Sequence, residues 1–186
     1  MTTRIALFGS AFNPPHKGHI DAIEQLLSPF DAVMVVPSAC HAFGKQMVDF
    51  QQRLRMTELI VQECLPTASV VVSDIEQVLH HRDPDAAVYS YDVLCAVQAQ
   101  QPNARFSLVL GPDNVAAKTW QRFHRYQEIL TEFAVYAVEE RLPLRSTAIR
   151  AGIAETTPAA LPALLTPMIG QQAAHYVIQH GLYKNY

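Results

Sequence analysis

Two histidines three residues apart, His16 and His19, stand in the segment Gly9-Ser10-Ala11-Phe12-Asn13-Pro14-Pro15-His16-Lys17-Gly18-His19, just ahead of an amphipathic stretch that begins at Ile20. On the first turn of a helix that spacing puts both rings on one face, and the unpaired backbone N–H groups of the turn add a site for negative charge. Phosphate is the guest such a site suits. Gly9 permits a tight exit from the preceding apolar run, Gly18 lets a ligand approach the backbone, and Pro14 and Pro15 hold the loop extended. A histidine pair by itself is equally a piece of capped surface; the glycines, prolines and helix start around this one favour the phosphate reading.

Three further segments carry chemistry. His41, Gly44 and Lys45 occupy the next loop, with Arg53 and Arg55 beyond it. A lysine as a point charge and an arginine as a bidentate fork neutralise a polyphosphate, while a solvated helix face is the alternative that charge alone leaves open. Gly111-Pro112-Asp113-Asn114 precedes the only tryptophan, Trp120. An acid and a planar ring suit a ribose and a base or pyridine, although a lone helical tryptophan is more often core. In Leu144-Arg145-Ser146-Thr147-Ala148-Ile149-Arg150, Ser146 or Thr147 can cap a helix, and Arg150 falls on the face of Thr147. Hydroxyl, backbone N–H and guanidinium then reach one phosphate tail; a plain N-cap with a solvent arginine is the competing reading. His80-His81-Arg82-Asp83 reads as a polar loop, and P-loop, nucleophile-elbow and zincin motifs are missing.

The elements that must position these residues follow from periodicity. Apolar runs at Ile5–Phe8, Val33–Val36, Val70–Val72, Phe106–Leu110 and Phe133–Val138 predict five strands. Helical spacing follows at Ile20, Ile23, Leu26 and Leu27, at Met56, Leu59, Ile60 and Glu63, and at Val93, Leu94 and Val97. Two more helices are expected over Trp120–Leu130 and Gln171–His180, the latter stopped by Gly181. Thr156–Pro167, rich in Ala, Pro, Leu and Thr, reads as short helices or a connection. The alternation predicts an α/β fold, a doubly wound parallel sheet of about five strands with helices on both faces. One domain over 1–186 with a small C-terminal helical part from about 146 is expected, and ligands belong beyond the carboxyl ends of the strands.

Composition sets the outer limits. The chain has 186 residues, 49% hydrophobic and 17% charged, enough for one domain with its own core. A formal charge of −3 disfavours binding to nucleic-acid backbones. Cys40, Cys64 and Cys95 are far apart and odd in number, so reduced thiols are expected rather than disulfides or a zinc site. The N-terminal residues lack a signal-peptide pattern and no apolar stretch approaches the ~20 residues of a membrane span. A soluble cytoplasmic protein is the expectation, with no membrane partner; a homo-oligomer is compatible with it.

The pair of segments G-S-A-F-N-P-P-H-K-G-H and L-R-S-T-A-I-R resembles the nucleotidyltransferase superfamily marked by an H-x-G-H near the N-terminus and a distal S-S-T-x-I-R helix start. Within it the chain is similar to bacterial nicotinate or nicotinamide mononucleotide adenylyltransferases: S-Y-D at 90–92 stands where they have S-Y-T, G-P-D-N at 111–114 where they have G-x-D, and the ending from Tyr176 to Tyr183 matches their closing helix. The resemblance implies a Rossmann-like fold and, in NAD biosynthesis, attack by the mononucleotide phosphate on the α-phosphorus of ATP with loss of pyrophosphate, a reaction served by positioning and charge stabilisation. It implies His16, His19, Lys45 and Arg150 as catalytic residues. Gly9, Ser10, Phe12, Gly18, Gly111, Asp113, Ser146 and Thr147 join His16, His19 and Arg150 around ATP. Phe12, Asn13, Lys45, Tyr91 and Trp120 receive the mononucleotide. No metal is held by the protein itself; Mg²⁺ comes with ATP on phosphate oxygens and water.

Three departures touch the binding loops: Asp92 replaces the Thr of S-Y-T, Arg145 replaces the first Ser of S-S-T, and the connection at 138–144 is short. Adenine contacts and oligomer surfaces therefore do not carry over. The alternatives are an adenylyl- or cytidylyltransferase of the same fold with another phosphate acceptor, and a nucleotide-binding module without turnover.

Overall fold

Strands separated by helices cannot form hairpins with one another, so they pair in parallel. The computed structural model describes residues 2–40, 47–115 and 117–186, residues 117 and 118 by backbone alone. In chain order the elements are β1 (Thr3–Ser10), α1 (Lys17–Glu24), β2 (Ala32–Pro37), α2 (Phe50–Cys64), β3 (Val70–Val72), α3 (Ile75–Arg82), α4 (Ser90–Gln100) and β4 (Ala104–Leu110). They continue with α5 (Pro112–Val115), α6 (Ala117–Trp120), α7 (Tyr126–Glu132), β5 (Ala134–Ala137), α8 (Ser146–Glu155), α9 (Leu161–Ile169) and α10 (Gln171–Gln179).

The sheet runs β3-β2-β1-β4-β5, every pair parallel, with Leu7 of β1 opposite Met34 on one side and Leu108 on the other. Strand order reverses beside β1, so a cleft opens beyond the carboxyl ends of β1 and β4. Side chains alternate across the sheet. Ala6 and Phe8 join the core under α1, α2 and α8–α10, whereas Ile5 and Leu7 join the one under α3, α4 and α7. Leu161, Leu165, Ile169 and Val177 bury against Ile23, Met56 and Ile60, so the segment from 146 onward shares the core of the sheet. The Glu63 carboxylate accepts the N–H groups of Gln171 and Gln172, each at 2.8 Å, and so caps α10 from α2.

Two expectations need correction, and two are met. His80, His81 and Arg82 form the last turn of α3 rather than a loop, a favourable place for cations at a helix C-terminus. The single helix expected over Trp120–Leu130 is broken: Arg125 takes a left-handed conformation, φ 55°, and α7 starts after it. Residues of the Ala/Pro-rich stretch fold into α9, with Pro162 in its first turn, where the missing N–H costs nothing. Gly181 ends α10 with φ 59°, as a C′ glycine does.

Candidate active site

The loop leaving β1 is fixed by polar contacts to elements far away in sequence. Phe12 adopts a left-handed conformation, φ 47°, uncommon for a bulky residue. Its ring is buried against Phe8 and His19, centroids 5.9 and 4.7 Å apart. Buried Arg53 donates from Nη1 to the Ala11 carbonyl at 2.8 Å and from Nε to that of Val48 at 3.0 Å. Asn13 accepts the Val48 N–H at 3.3 Å and donates to the Tyr186 hydroxyl at 2.8 Å.

His16 is the N-cap of α1 and His19 its third residue, their rings 3.8 Å apart. The His16 backbone N–H donates to Nδ1 of His19 at 3.1 Å. A neutral His19 ring therefore carries its proton on Nε2, which lies 3.3 Å from Ser10 Oγ. Burial, then the Arg145 charge, brings the His16 pKa down to about 4. Burial, then the charge of His16, holds His19 well below the usual value. Both imidazoles are neutral at pH 7, so His19 offers an N–H donor rather than a cation. A side chain at position 18 would come within 3.0 Å of His16 Nδ1 and 3.1 Å of the Leu142 carbonyl, so Gly18 serves ring packing as well as cavity access.

The opposite wall is the start of α8. Ser146 does not cap it; Arg145 holds the N-cap position, and Ser146 Oγ donates to the Pro14 carbonyl at 2.8 Å. Arg150 donates from Nη1 to the Asn13 carbonyl at 2.5 Å and from Nη2 to Thr147 Oγ1 at 3.4 Å, over the Tyr186 ring at 4.7 Å. Between these walls lies a cavity of about 600 Å³.

The cavity gathers Gly9, Ser10, Phe12, Asn13, His16, Gly18 and His19 from the first loop. Gly111, Asp113, Ser146, Thr147 and Arg150 face them. Trp120 and Tyr91 are not in the lining: Trp120 packs on Phe123, centroids 4.9 Å apart, and Phe123 is the ring that reaches the cavity. The Tyr91 hydroxyl donates to Glu132 at 3.0 Å. His41, Gly44 and Lys45 lie outside the described residues. Arg53 holds backbone instead of facing the cavity, and Arg55 pairs with Glu58 at 3.0 Å on the surface. Asp92 accepts the Tyr89 N–H at 3.0 Å and caps α4.

Sequence reasoning missed Glu76. It lines the cavity, accepts the Ala39 N–H at 3.1 Å, and burial pushes its carboxyl up to about 7. Nothing in the local sequence marks it, because its burial depends on how α3 lies against the end of β2. Arg145 likewise lines the cavity, paired with Glu140 and, at 3.6 Å, with Asp113.

A family model described as cytidylyltransferase-like matches residues 7–158. A Myxococcus xanthus protein named a probable nicotinate-nucleotide adenylyltransferase is 29% identical over 190 residues, covering 97% of this chain and 94% of its own. One of that name from Salinibacter ruber is 33% identical over 138 residues, 71% of this chain and 66% of its own. A crystal structure from Vibrio parahaemolyticus, assigned as a nicotinate-nucleotide adenylyltransferase, superposes with a TM-score of 0.79 at 30% identity over 99% of this chain and 97% of its own. The Plasmodium falciparum nicotinic acid mononucleotide adenylyltransferase, solved with NaAD, gives 0.77 at 17% identity over 99% and 98%, a likeness of fold.

Proposed function

Starting from a chain that belongs to the cytidylyltransferase-like family, we propose that it transfers an adenylyl group from ATP to nicotinate mononucleotide, forming the dinucleotide of NAD biosynthesis and pyrophosphate. The carrying observation is the pair of neutral, closely packed imidazoles on the first turn of α1, facing Thr147 and Arg150 across one cavity. A phosphate oxygen of the mononucleotide bonds to the α-phosphorus as the bond from that phosphorus to the bridging oxygen breaks, and pyrophosphate departs. No covalent link to the protein forms.

Such a displacement asks the protein for alignment and for stabilisation of charge. The His19 Nε2–H, held by the His16 backbone, is aimed at an oxygen on the α-phosphate. His16 packs on that ring and fixes it. Arg150 with Thr147, and Ser146 beside them, receive the outer phosphates, and Lys45 completes the set of charges. Asp113 serves the ribose. The acceptor takes the Phe12 and Asn13 end, with Phe123, backed by Trp120, at the pyridine ring. Among the described residues no cluster of three His, Cys, Asp or Glu side chains forms a cage. The lining instead offers single carboxylates such as Asp113 and Glu140, both paired with Arg145. That donor set fits Mg²⁺ carried on phosphate oxygens and water, where it would offset the charge of the leaving pyrophosphate. Dependence on ATP suits a cytoplasmic setting; no described helix is long and apolar enough to cross a membrane.

The test is pyrophosphate release from Mg-ATP with nicotinate mononucleotide and nicotinamide mononucleotide supplied separately and the product identified. Dinucleotide with nicotinate mononucleotide preferred is expected. A folded, ATP-binding protein that makes no dinucleotide from either acceptor overturns the reading.

A further inference from the structure

We infer that Arg145 is a contact for the outer phosphates of ATP and for the leaving pyrophosphate, and that its ion pairs with Asp113 and Glu140 are exchanged for them when the nucleotide binds. This rests on the adenylyl-transfer reading of the same cavity.

Arg145 stands at the N-cap of α8, its own carbonyl accepting the Ile149 N–H at 3.1 Å. Its side chain spans the mouth of the cavity. Nη1 meets the Glu140 carboxylate after β5 and the Leu144 carbonyl at 3.1 Å, and Nη2 lies 3.6 Å from Asp113 after β4. The position is close enough for its charge to be felt at His16, so it is within reach of the phosphate loop.

Two observations separate Arg145 from Arg150. Arg150 is anchored by the Asn13 carbonyl, the Thr147 hydroxyl and the Tyr186 ring, so it meets the outer phosphates from a fixed position. Arg145 is 49% exposed in its side chain and Asp113 79%, so this pair is solvated and weak. A guanidinium fork presents five donors, and a triphosphate offers more charge and better geometry than a water-washed carboxylate. Exchange also frees Asp113 at the moment a ribose needs an acceptor. Phosphate binding at one end of ATP and sugar binding further along are thereby coupled through one side chain.

The experiment compares wild type, Arg145→Ser, Arg145→Lys and Glu140→Gln, each checked for an unchanged melting transition. Calorimetric titration with Mg-pyrophosphate and with a non-hydrolysable ATP analogue reads the contact without turnover, and initial rates give KM for each substrate. For Arg145→Ser, pyrophosphate and analogue affinity and the KM for ATP should worsen about tenfold or more, with the KM for mononucleotide within about twofold. Arg145→Lys should fall between, and Glu140→Gln should tighten pyrophosphate by removing a competitor. Unchanged pyrophosphate and analogue affinity in Arg145→Ser overturns the inference. So does a Glu140→Gln variant that weakens both ligands as Arg145→Ser does, because the pair is then a strut. Absence of dinucleotide synthesis in the wild type strikes the functional reading, and the titrations still decide the role of Arg145.

Discussion

Along the loop that leaves β1, Phe12, Asn13 and His16 are 1%, 4% and 7% exposed and their polar neighbours are tied to backbone. Across the cavity, the lip made by 111–114 and 139–145 is largely exposed, and Arg145 ties it together through surface ion pairs with Asp113 and Glu140. The first region is built before a ligand arrives; the second is held by interactions that a ligand can outbid. Preorganised dipoles stabilise a transition state because they need no rearrangement when charge shifts. Exposed pairs hold little energy of their own. Substitutions in the floor should therefore lower kcat and stability, whereas those in the lip should alter KM.

The largest effect is expected for His19→Ala, which removes the donor we propose for the α-phosphate: kcat should fall about 10²- to 10³-fold while the melting transition persists. Near-normal turnover of a folded variant would collapse the contrast. Acid should come next. His16 moves from its usual 6.5 to about 4 on folding, so the unfolded chain binds more protons between those values. Stability is complete above pH 6.5 and declines as pH falls to 4, by on the order of 3 kcal/mol from this residue. Glu76, raised from 4.5 to about 7, acts in the opposite sense, adding stability as pH falls through 7 toward 4.5. These two contributions nearly offset one another, and His19, also held well below its usual value by burial, leaves a net acid-side decline; urea unfolding at several pH values should show it steepening in Glu76→Gln and flattening in His16→Gln.

Asn13→Ala should cost about 1–3 kcal/mol, because the Val48 N–H loses its acceptor and the Tyr186 hydroxyl its donor. Asp113→Ala at the lip should stay within about 0.5 kcal/mol. Equal costs in denaturant would erase the distinction. The smallest signal is optical: mononucleotide should quench Trp120 emission, and ATP should do so less. Unchanged emission at saturating mononucleotide leaves Trp120 a support for Phe123.

The sheet was legible because β-branched runs and helical spacing are local patterns, and all five strands fall where those patterns lie. The break before α7 was not, since a left-handed Arg125 follows from the tertiary path and not from its own propensity. The His16/His19 pair was readable from spacing. Arg53 was readable as a charge but not as a buried one; its burial comes from carbonyls of two loops that meet only in the folded chain. Asp92 looked like a change in a binding loop and proves to cap α4.

The polar links that fix the first loop also impose an order in time. The Asn13 carbonyl waits for Arg150, 137 residues later, and the Asn13 amide for Tyr186, 173 residues later. At translation rates of about 5–20 residues per second, the histidine loop exists for on the order of ten seconds before its partners are made. A ribosome-bound chain that has reached β5 contains every strand of the sheet described above, yet lacks the arginine, the serine and the tyrosine that hold the histidine loop in shape. On the proposed reading, nucleotide binding is then a property acquired late in synthesis.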